Sequence, residues 1–279
     1  MINIKYSCDS EIAVLMAVYN GAQYIEEQIN SILNQTAKNW HLYIRDDGST
    51  DSTIQILHKY SKQYDCITLI EDELHNLGPK LNFMQILSYV DADYYMFCDQ
   101  DDIWKKTKIE KSYIEIKRIE EQEPSRPVMV FTNISVVDSN QNVLIDDYWS
   151  HIGLDFKRMN NLCDYATISF APGCTMLFNN LAKLCSIPME DYAIMHDWWV
   201  GVSVYLNNGI VYGIQTTEMM YRKHGGNVTG EISVPYTGPI DRIIRFFLEN
   251  RQRRRLLNSI GITFFEYWFH KLRLKLFAR

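Results

Sequence analysis

Two unbroken apolar runs constrain this chain most: IAVLMAV at 12–18 and YYMFC at 94–98. A half-exposed strand alternates apolar with polar residues, whereas an unbroken run must be covered on both faces. Helices on either side of a parallel sheet give that cover. The intervening segments have the matching form. After the break at Tyr19-Asn20-Gly21, Ile25, Gln28, Ile29, Ile32 and Leu33 recur at helical spacing. Residues 40–44 read as a strand that enters a turn at Asp46-Asp47-Gly48. Ser49, Asp51 or Ser52 then caps a helix carrying Ile54, Ile56 and Leu57. A strand at 67–72, a helix near 80–89 and the run at 94–98 continue the alternation, which predicts an α/β chain. Farther on, the pattern predicts helices near 105–122, 179–185 and 197–206. It also predicts strands over 127–138, 174–178, 210–215 and 217–221, with an irregular stretch at 139–165.

The second apolar run ends in Asp99-Gln100-Asp101-Asp102. Like charges about 4 Å apart repel by roughly 4 kcal/mol at an effective dielectric near 20, so a positive partner is expected. In open parallel sheets ligands bind beyond the carboxyl ends of the strands. Four polar clusters fall at such ends: Tyr19-Asn20, Asp46-Asp47, Asn76 to Lys80, and the acids at 99–102. A turn with a helix cap accounts for Asp46-Asp47-Gly48-Ser49 taken alone, and a solvated loop accounts for the 99–102 acids. The functional reading of the acids is a hard divalent cation, Mn2+ or Mg2+, bound through carboxylate oxygens and left open to phosphate. Asp99 and Asp101, one residue apart, would face the same pocket. The stretch lacks the glycine and final glutamate of an EF-hand loop.

Six cysteines without a CxxC spacing argue against a structural zinc site and fit a reducing compartment. No signal segment and no apolar run of about 18 residues is evident, so a cytoplasmic location is expected. The net charge of −6 conceals an asymmetry: residues 241–279 hold ten Lys/Arg and three Asp/Glu, the rest 18 and 31. An acidic body argues against nucleic acid as its partner, while the basic tail suggests an anionic surface. Ile243, Ile244, Phe247, Leu248, Phe264, Phe265, Trp268, Phe269 and Leu272 recur there at helical spacing beside Arg251, Arg253, Arg254, Arg255, Lys271, Arg273 and Lys275. Contact with a membrane surface is one expectation for 239–279. A helical hairpin packed on the body, or on a second subunit of a homo-oligomer, is the other.

Four segments in order, EIAVLMAVYNGAQYIEEQINSILNQT, IRDDGSTDST, NLGPKLNF and FCDQDDIW, resemble the nucleotide-sugar half of a family 2 glycosyltransferase. GCTMLFN, HDWW and YRKHGGNVTG resemble its acceptor half, in the bacterial rhamnosyltransferase-like branch of surface polysaccharide biosynthesis. The resemblance covers about residues 11–230. It implies a GT-A fold: a Rossmann-like, mostly parallel sheet flanked by helices, here with a C-terminal helical extension. The expected domains are 1–235, split near residue 110 into donor and acceptor halves, and a basic amphipathic tail at 236–279.

The resemblance also implies roles. Ala17 and Tyr19 would lie along the nucleotide base, Asp47 would bond base or ribose, and Lys80 would approach the donor. Asp101 would ligate the metal, with Asp99 beside it or near the ribose. Asp197 would be the catalytic base. The family usually has Glu before that acid and this chain has His196, which would orient or tune Asp197. Trp198 or Trp199 would stack on an acceptor sugar, though core packing is the commoner fate of such residues. His224 would complete the metal shell and Arg222 would face the departing phosphate. The implied reaction is inverting, metal-dependent transfer from a dTDP- or UDP-sugar, dTDP-L-rhamnose first, to a hydroxyl of a glycan or lipid-linked glycan at the inner face of the cell membrane. A UDP-hexose or UDP-N-acetylhexosamine donor is the nearest alternative. An NDP-sugar nucleotidyltransferase and a non-catalytic glycan-binding scaffold are the alternatives from other classes. The first would have a glycine- and basic-rich triphosphate loop, which VYNGAQYIEE lacks.

Overall fold

A computed structural model describes residues 5–8, 10–153, 161–168, 170–225, 257–263 and 265–269. The strands are β1 (Tyr6–Ser7), β2 (Ile12–Val18), β3 (Trp40–Asp46), β4 (Ile67–Ile70), β5 (Val90–Asp91), β6 (Tyr94–Cys98), β7 (Ile103–Trp104), β8 (Val128–Val137), β9 (Val143–Ile145), β10 (Met176–Asn179) and β11 (Ile210–Arg222). The helices are α1 (Ile25–Leu33), α2 (Thr53–Gln63), α3 (Gly78–Tyr89), α4 (Lys108–Gln122), α5 (Tyr148–Ile152), α6 (Leu162–Ile168), α7 (Asn180–Ser186) and α8 (His196–Leu206).

The main sheet runs in the order β4-β3-β2-β6-β10-β8-β11-β7, with β9 on the edge of β8. From β4 to β6 every pairing is parallel, as is the long β8–β11 ladder. The sheet is thus mostly parallel, and β10 enters antiparallel between β6 and β8. The unbroken apolar runs are explained by two cores. Ala13, Leu15, Tyr95 and Phe97 join one core with α3 and α8. Ile12, Val14, Met16, Met96 and Cys98 join the other with α1, α2 and α4. Both faces of β2 and β6 are covered apart from the strand-end Ala17, so neither strand tolerates the polar alternation of an exposed sheet.

Three segments differ from the sequence expectation. The region 139–165 contains β9, α5 and the start of α6. The strand expected at 174–178 is a 3-10 turn at Gly173–Thr175 followed by β10. The two strands expected near 210–221 are one, interrupted by register shifts between Ile214 and Met219. Of the tail, Leu257, Ile260, Ile262 and Tyr267 are buried in the same core as Trp198 and Trp199. The cationic residues Arg251 to Arg255, Lys271, Arg273 and Lys275, and Asn227 of the glycine loop, lie outside the described residues.

Arg45 of β3 is fully buried. It binds Asp72 through Nε and Nη2, each at 2.8 Å, and reaches Asp47 at 3.2 Å, Asn82 at 2.8 Å and the Leu74 carbonyl at 2.5 Å. Asp47 in turn accepts from the backbone N–H groups of Leu77 (3.0 Å) and Gly78 (2.8 Å). One guanidinium therefore ties β3 to the 72–78 loop and to the start of α3. Lys108, at the start of α4, is also fully buried. Its Nζ sits 4.9 Å from the Trp104 ring centroid and has no hydrogen-bond partner among the described residues. Burial pushes it down to about 8 from an ordinary 10.5.

Both cations give stability predictions. Arg45→Leu strands Asp47 and Asp72, and removing one partner of a buried ion pair costs about 3–5 kcal/mol. Chemical denaturation should therefore show a loss of that order, and a loss under 1 kcal/mol would contradict the network's role. For Lys108 the unfolded chain holds the proton more tightly than the folded one. The penalty is at full strength below about pH 8 and is relieved as pH rises toward 10.5. Lys108→Met should thus stabilise the protein at pH 7 by on the order of 2 kcal/mol after the lost cation–π contact is counted. That gain should shrink steadily between pH 8 and pH 10 in parallel melts of variant and parent.

Candidate active site

The carboxyl ends of β2, β3 and β6 open into a cleft of about 520 Å3. Ala17, Tyr19, Asp47, Asp99, Asp101, His196 and Asp197 all line it. The floor is shaped by loop-to-loop bonds. The amide of Gln100 pairs with both backbone groups of Tyr19, accepting from its N–H at 2.8 Å and donating to its carbonyl at 2.9 Å. A Cβ on Gly21 would fall 2.5 Å from Gln100 Oε1, so a side chain there would push the Gln100 amide out of this pairing. Asn20 sits at φ 48°, and its N–H donates to Ser49 Oγ at 2.7 Å. Gly21 N–H donates to Thr53 Oγ1 at 2.8 Å and Ala22 N–H to Asp51 Oδ2 at 3.2 Å. The DDGSTDST stretch thereby holds the loop after β2 in place. Asp46 closes its own turn onto Gly48 and Ser49, and Asp51 accepts from Thr53 N–H at 3.0 Å to begin α2.

Asp99, Asp101 and Asp197 converge across this floor. Burial, then the charges of Asp101 and Asp197, push the Asp99 carboxyl up to about 7. Asp101 Oδ2 lies 2.8 Å from His224 Nε2. Behind them Asp102 is wholly buried and Cys174 nearly so. One ligand atom each from Asp99, Asp102 and Cys174 lie within 4.8 Å of one another. Asp102 Oδ1 accepts from Arg222 N–H at 3.2 Å, while its Oδ2 is buried without a partner among the described residues. Burial, then Asp99 and Asp101, raise the Asp102 carboxyl well above its ordinary range. Such a cluster fits a divalent cation. Hard Mn2+ or Mg2+ would favour the cleft-lining carboxylates of Asp99 and Asp101, with the His224 imidazole beside Asp101 though not itself among the lining residues. The Cys174 thiol is a poor ligand for such ions, since burial and then Asp102 drive its pKa upward.

Asp197 stands in the first turn of α8. Its Oδ2 accepts from Gly173 N–H at 3.0 Å, and its Oδ1 from Trp198 N–H at 2.7 Å. The backbone at 173 comes so close that a Cβ there would meet His196 Nε2 at 2.9 Å and Asp197 Cβ at 3.2 Å. His196 stacks on Phe83 at 4.2 Å and meets Phe97 edge-on at 4.8 Å. Burial lowers its pKa, so the imidazole is neutral and packs as an aromatic. The Tyr165 phenol donates to the Asp197 carbonyl at 3.3 Å. The same ring fills the space a side chain at Gly201 would need, since a Cβ there would lie 2.1 Å from Tyr165 Cζ.

Three sequence candidates stand elsewhere. Trp198 and Trp199 are core residues, their indole N–H groups donating to the carbonyls of Ala166 (3.4 Å) and Ser186 (2.8 Å). The Lys80 ammonium donates to the Ala193 carbonyl at 2.5 Å, bracing the loop before α8. None of the three is among the residues lining the cleft. Arg222 is buried behind the acids, with Nε donating to the Asp101 carbonyl at 3.0 Å and Nη2 paired with Glu27. Sequence reasoning passed over Gln100, Gly173 and Cys174. The Pro172-Gly173 break was the available signal for the second, and nothing local marks the other two.

The comparisons with known proteins agree with this geometry. Residues 13–182 match the family model described as Glycosyl transferase family 2. The dTDP-rhamnosyl transferase RfbG of Shigella flexneri is 29% identical over 229 residues, covering 77% of this chain and 73% of that protein. The putative teichuronic acid biosynthesis glycosyltransferase TuaG of Bacillus subtilis (strain 168) is 37% identical over 100 residues, 36% of this chain and 39% of its own length. Among solved structures, S. aureus TarS 1-349 in complex with UDP-GlcNAc superposes with a TM-score of 0.59 at 18% identity, over 85% of this chain and 65% of that one. The mannosyltransferase PcManGT from Pyrobaculum calidifontis, in complex with GDP-Man and Mn2+, gives 0.63 at 14% identity, over 96% and 71%. At such identities the superpositions speak for the GT-A fold alone. This chain belongs to glycosyl transferase family 2 and is a glycosyltransferase of glycan biosynthesis.

Proposed function

We propose that the protein is an inverting glycosyltransferase that moves a sugar, L-rhamnose from dTDP-rhamnose, to a hydroxyl of a growing cell-surface glycan. The observation that carries the reading is the convergence of Asp197 with Asp99 and Asp101 in one cleft, where burial and then the charges of the other two raise the Asp99 carboxyl. Asp197 takes the acceptor hydroxyl proton as that oxygen bonds the anomeric carbon. The sugar–phosphate bond breaks on the opposite face, and the nucleoside diphosphate leaves with the electron pair. The Gly173 N–H fixes the carboxylate for this task. Asp99, Asp101 and His224 would hold Mn2+ or Mg2+, which supplies charge compensation for the leaving diphosphate. Ala17, Tyr19 and Asp47 form the base and ribose end of the cleft. Arg222 acts from behind Asp101.

The rhamnose donor rests on the likeness to RfbG over most of the chain. A UDP-N-acetylhexosamine donor is the second reading, favoured by the UDP-GlcNAc bound in the superposed TarS structure. The acceptor would be lipid-linked at the inner membrane face. Phe265 and Phe269, 81% and 60% exposed, together with the cationic composition of 241–279 support attachment there. No helix among the described residues is long and apolar enough to cross a membrane.

Three measurements test the reading. Thermal shift against dTDP-rhamnose and UDP-, GDP- and CDP-sugars, each with and without Mn2+, should show stabilisation by dTDP-rhamnose that requires the metal. Stabilisation by UDP-GlcNAc alone would move the donor assignment to the second reading. Asp197→Asn should cut turnover about 10²–10⁴-fold with little change in melting temperature; near-normal turnover would remove Asp197 from the chemistry. Gly173→Ala should lower kcat about 10²-fold by displacing Asp197, with the donor KM nearly unchanged. A KM effect alone would place Gly173 at the donor end instead.

A further inference from the structure

The C-terminal end of β11 meets the acids directly and packs against α1, and two α1-side residues carry no role in the reading above. The Tyr24 ring immediately precedes α1. Its centroid is 4.7 Å from the Arg222 guanidinium carbon and 4.7 Å from the His224 ring centroid, with 36° between the two ring planes. Three residues on, Glu27 binds Arg222 Nη2 and stands 3.4 Å from Gln141 Nε2. Positions i and i+3 share a helix face, so the two side chains present one surface to the strand end. On the other side of that strand end, Arg222 Nε holds the Asp101 carbonyl, Arg222 N–H holds Asp102, and His224 reaches Asp101 Oδ2. A residue that touches both Arg222 and His224 restrains the angle between them. Tyr24 does so with a flat, half-buried ring that has only two side-chain torsions to fix.

We propose that Tyr24, braced by Glu27, is a positioning residue that sets the reach of His224 toward Asp101. It touches no reacting atom in this arrangement and acts through the strand end it supports. The stack on a π-face favours a cationic guanidinium and leaves His224 Nε2 pointing at the acid. Without the ring, Arg222 and Lys223 keep their backbone bonds to β8, but the imidazole of His224 loses the wall against which it rests. The inference that this affects cation binding rests on the reading of Asp101 and His224 as metal ligands.

The experiment separates the two claims. Amide exchange over 221–225 reports the clasp directly, and titration with Mn2+ alone, followed by the EPR signal of the free ion, reports the ligand set. The variants are Tyr24→Leu, Tyr24→Phe, His224→Ala and Tyr24→Leu/His224→Ala, each with its melting temperature. Tyr24→Leu should speed exchange at 221–225 and weaken Mn2+ about tenfold. Tyr24→Phe, which keeps the ring, should restore both to within about twofold. The double variant should bind Mn2+ no more weakly than His224→Ala, because Tyr24 acts through His224. If Tyr24→Leu leaves exchange unchanged, the positioning role is overturned whatever the metal does. If exchange rises and Tyr24→Phe restores it, but His224→Ala binds Mn2+ like the parent, the clasp stands and the metal reading falls. Equal loss in the Leu and Phe variants would overturn the ring as the operative feature.

Discussion

Repulsion among carboxylates at the strand ends is the interaction on which the rest of the structure turns. Asp99 and Asp102 are driven toward their neutral forms by burial and by each other's neighbours. A fold that places acids so close, with Asp197 brought in from a distant helix, accepts a local instability that packing elsewhere must offset. Much of the surrounding design reads as containment. Arg222 donates to the loop from behind, Gln100 locks it to Tyr19, and Lys108 lies buried beneath without a carboxylate partner of its own.

The sheet supplies the geometry of that convergence. Parallel strands β2, β3 and β6 deliver three loops to one edge, which is where Tyr19, Asp47 and the 99–102 acids arise. The antiparallel entry of β10 beside β6 then changes the direction of the chain. The turn ahead of β10 brings Gly173 up to the acids, and α8 follows with Asp197 against it. The 99–102 acids and Asp197 therefore meet at the seam where parallel pairing gives way to antiparallel. The long β11 ladder closes the circuit by returning Arg222 and His224 to the same seam.

What the sequence made legible follows from how local each signal was. The apolar runs at 12–18 and 94–98 announced two-sided burial, and the strand-end clusters announced the cleft, because both are properties of a few adjacent residues. Trp198 and Trp199 illustrate the opposite case. Their neighbours in sequence include Asp197, yet their side chains leave the cleft for the core, a choice made by the facing helices and not by the HDWW string. Lys80 was drawn to the loop before α8, more than a hundred residues away. Cys174, expected inside a strand, lies in the turn ahead of β10, which sets it beside Asp99 and Asp102. Gln100 stands between two acids, and nothing nearby in sequence indicates that its amide imitates a peptide unit for Tyr19. The tail's heptad-like apolar pattern could not distinguish a membrane face from a packing face, and Tyr267 and Phe269 fall on different sides of that question.

The contact between Gly201 and Tyr165 has an evolutionary reading. The ring occupies the volume a side chain on α8 would claim, while its hydroxyl holds the carbonyl of Asp197. Neither position can drift alone. A larger residue at 201 expels the ring and loosens the turn that bears Asp197, and a smaller residue at 165 opens a void under α8. Lineages descended from this protein should therefore change the two sites together or not at all, which makes the pair a lasting imprint of how closely α8 must approach its neighbour.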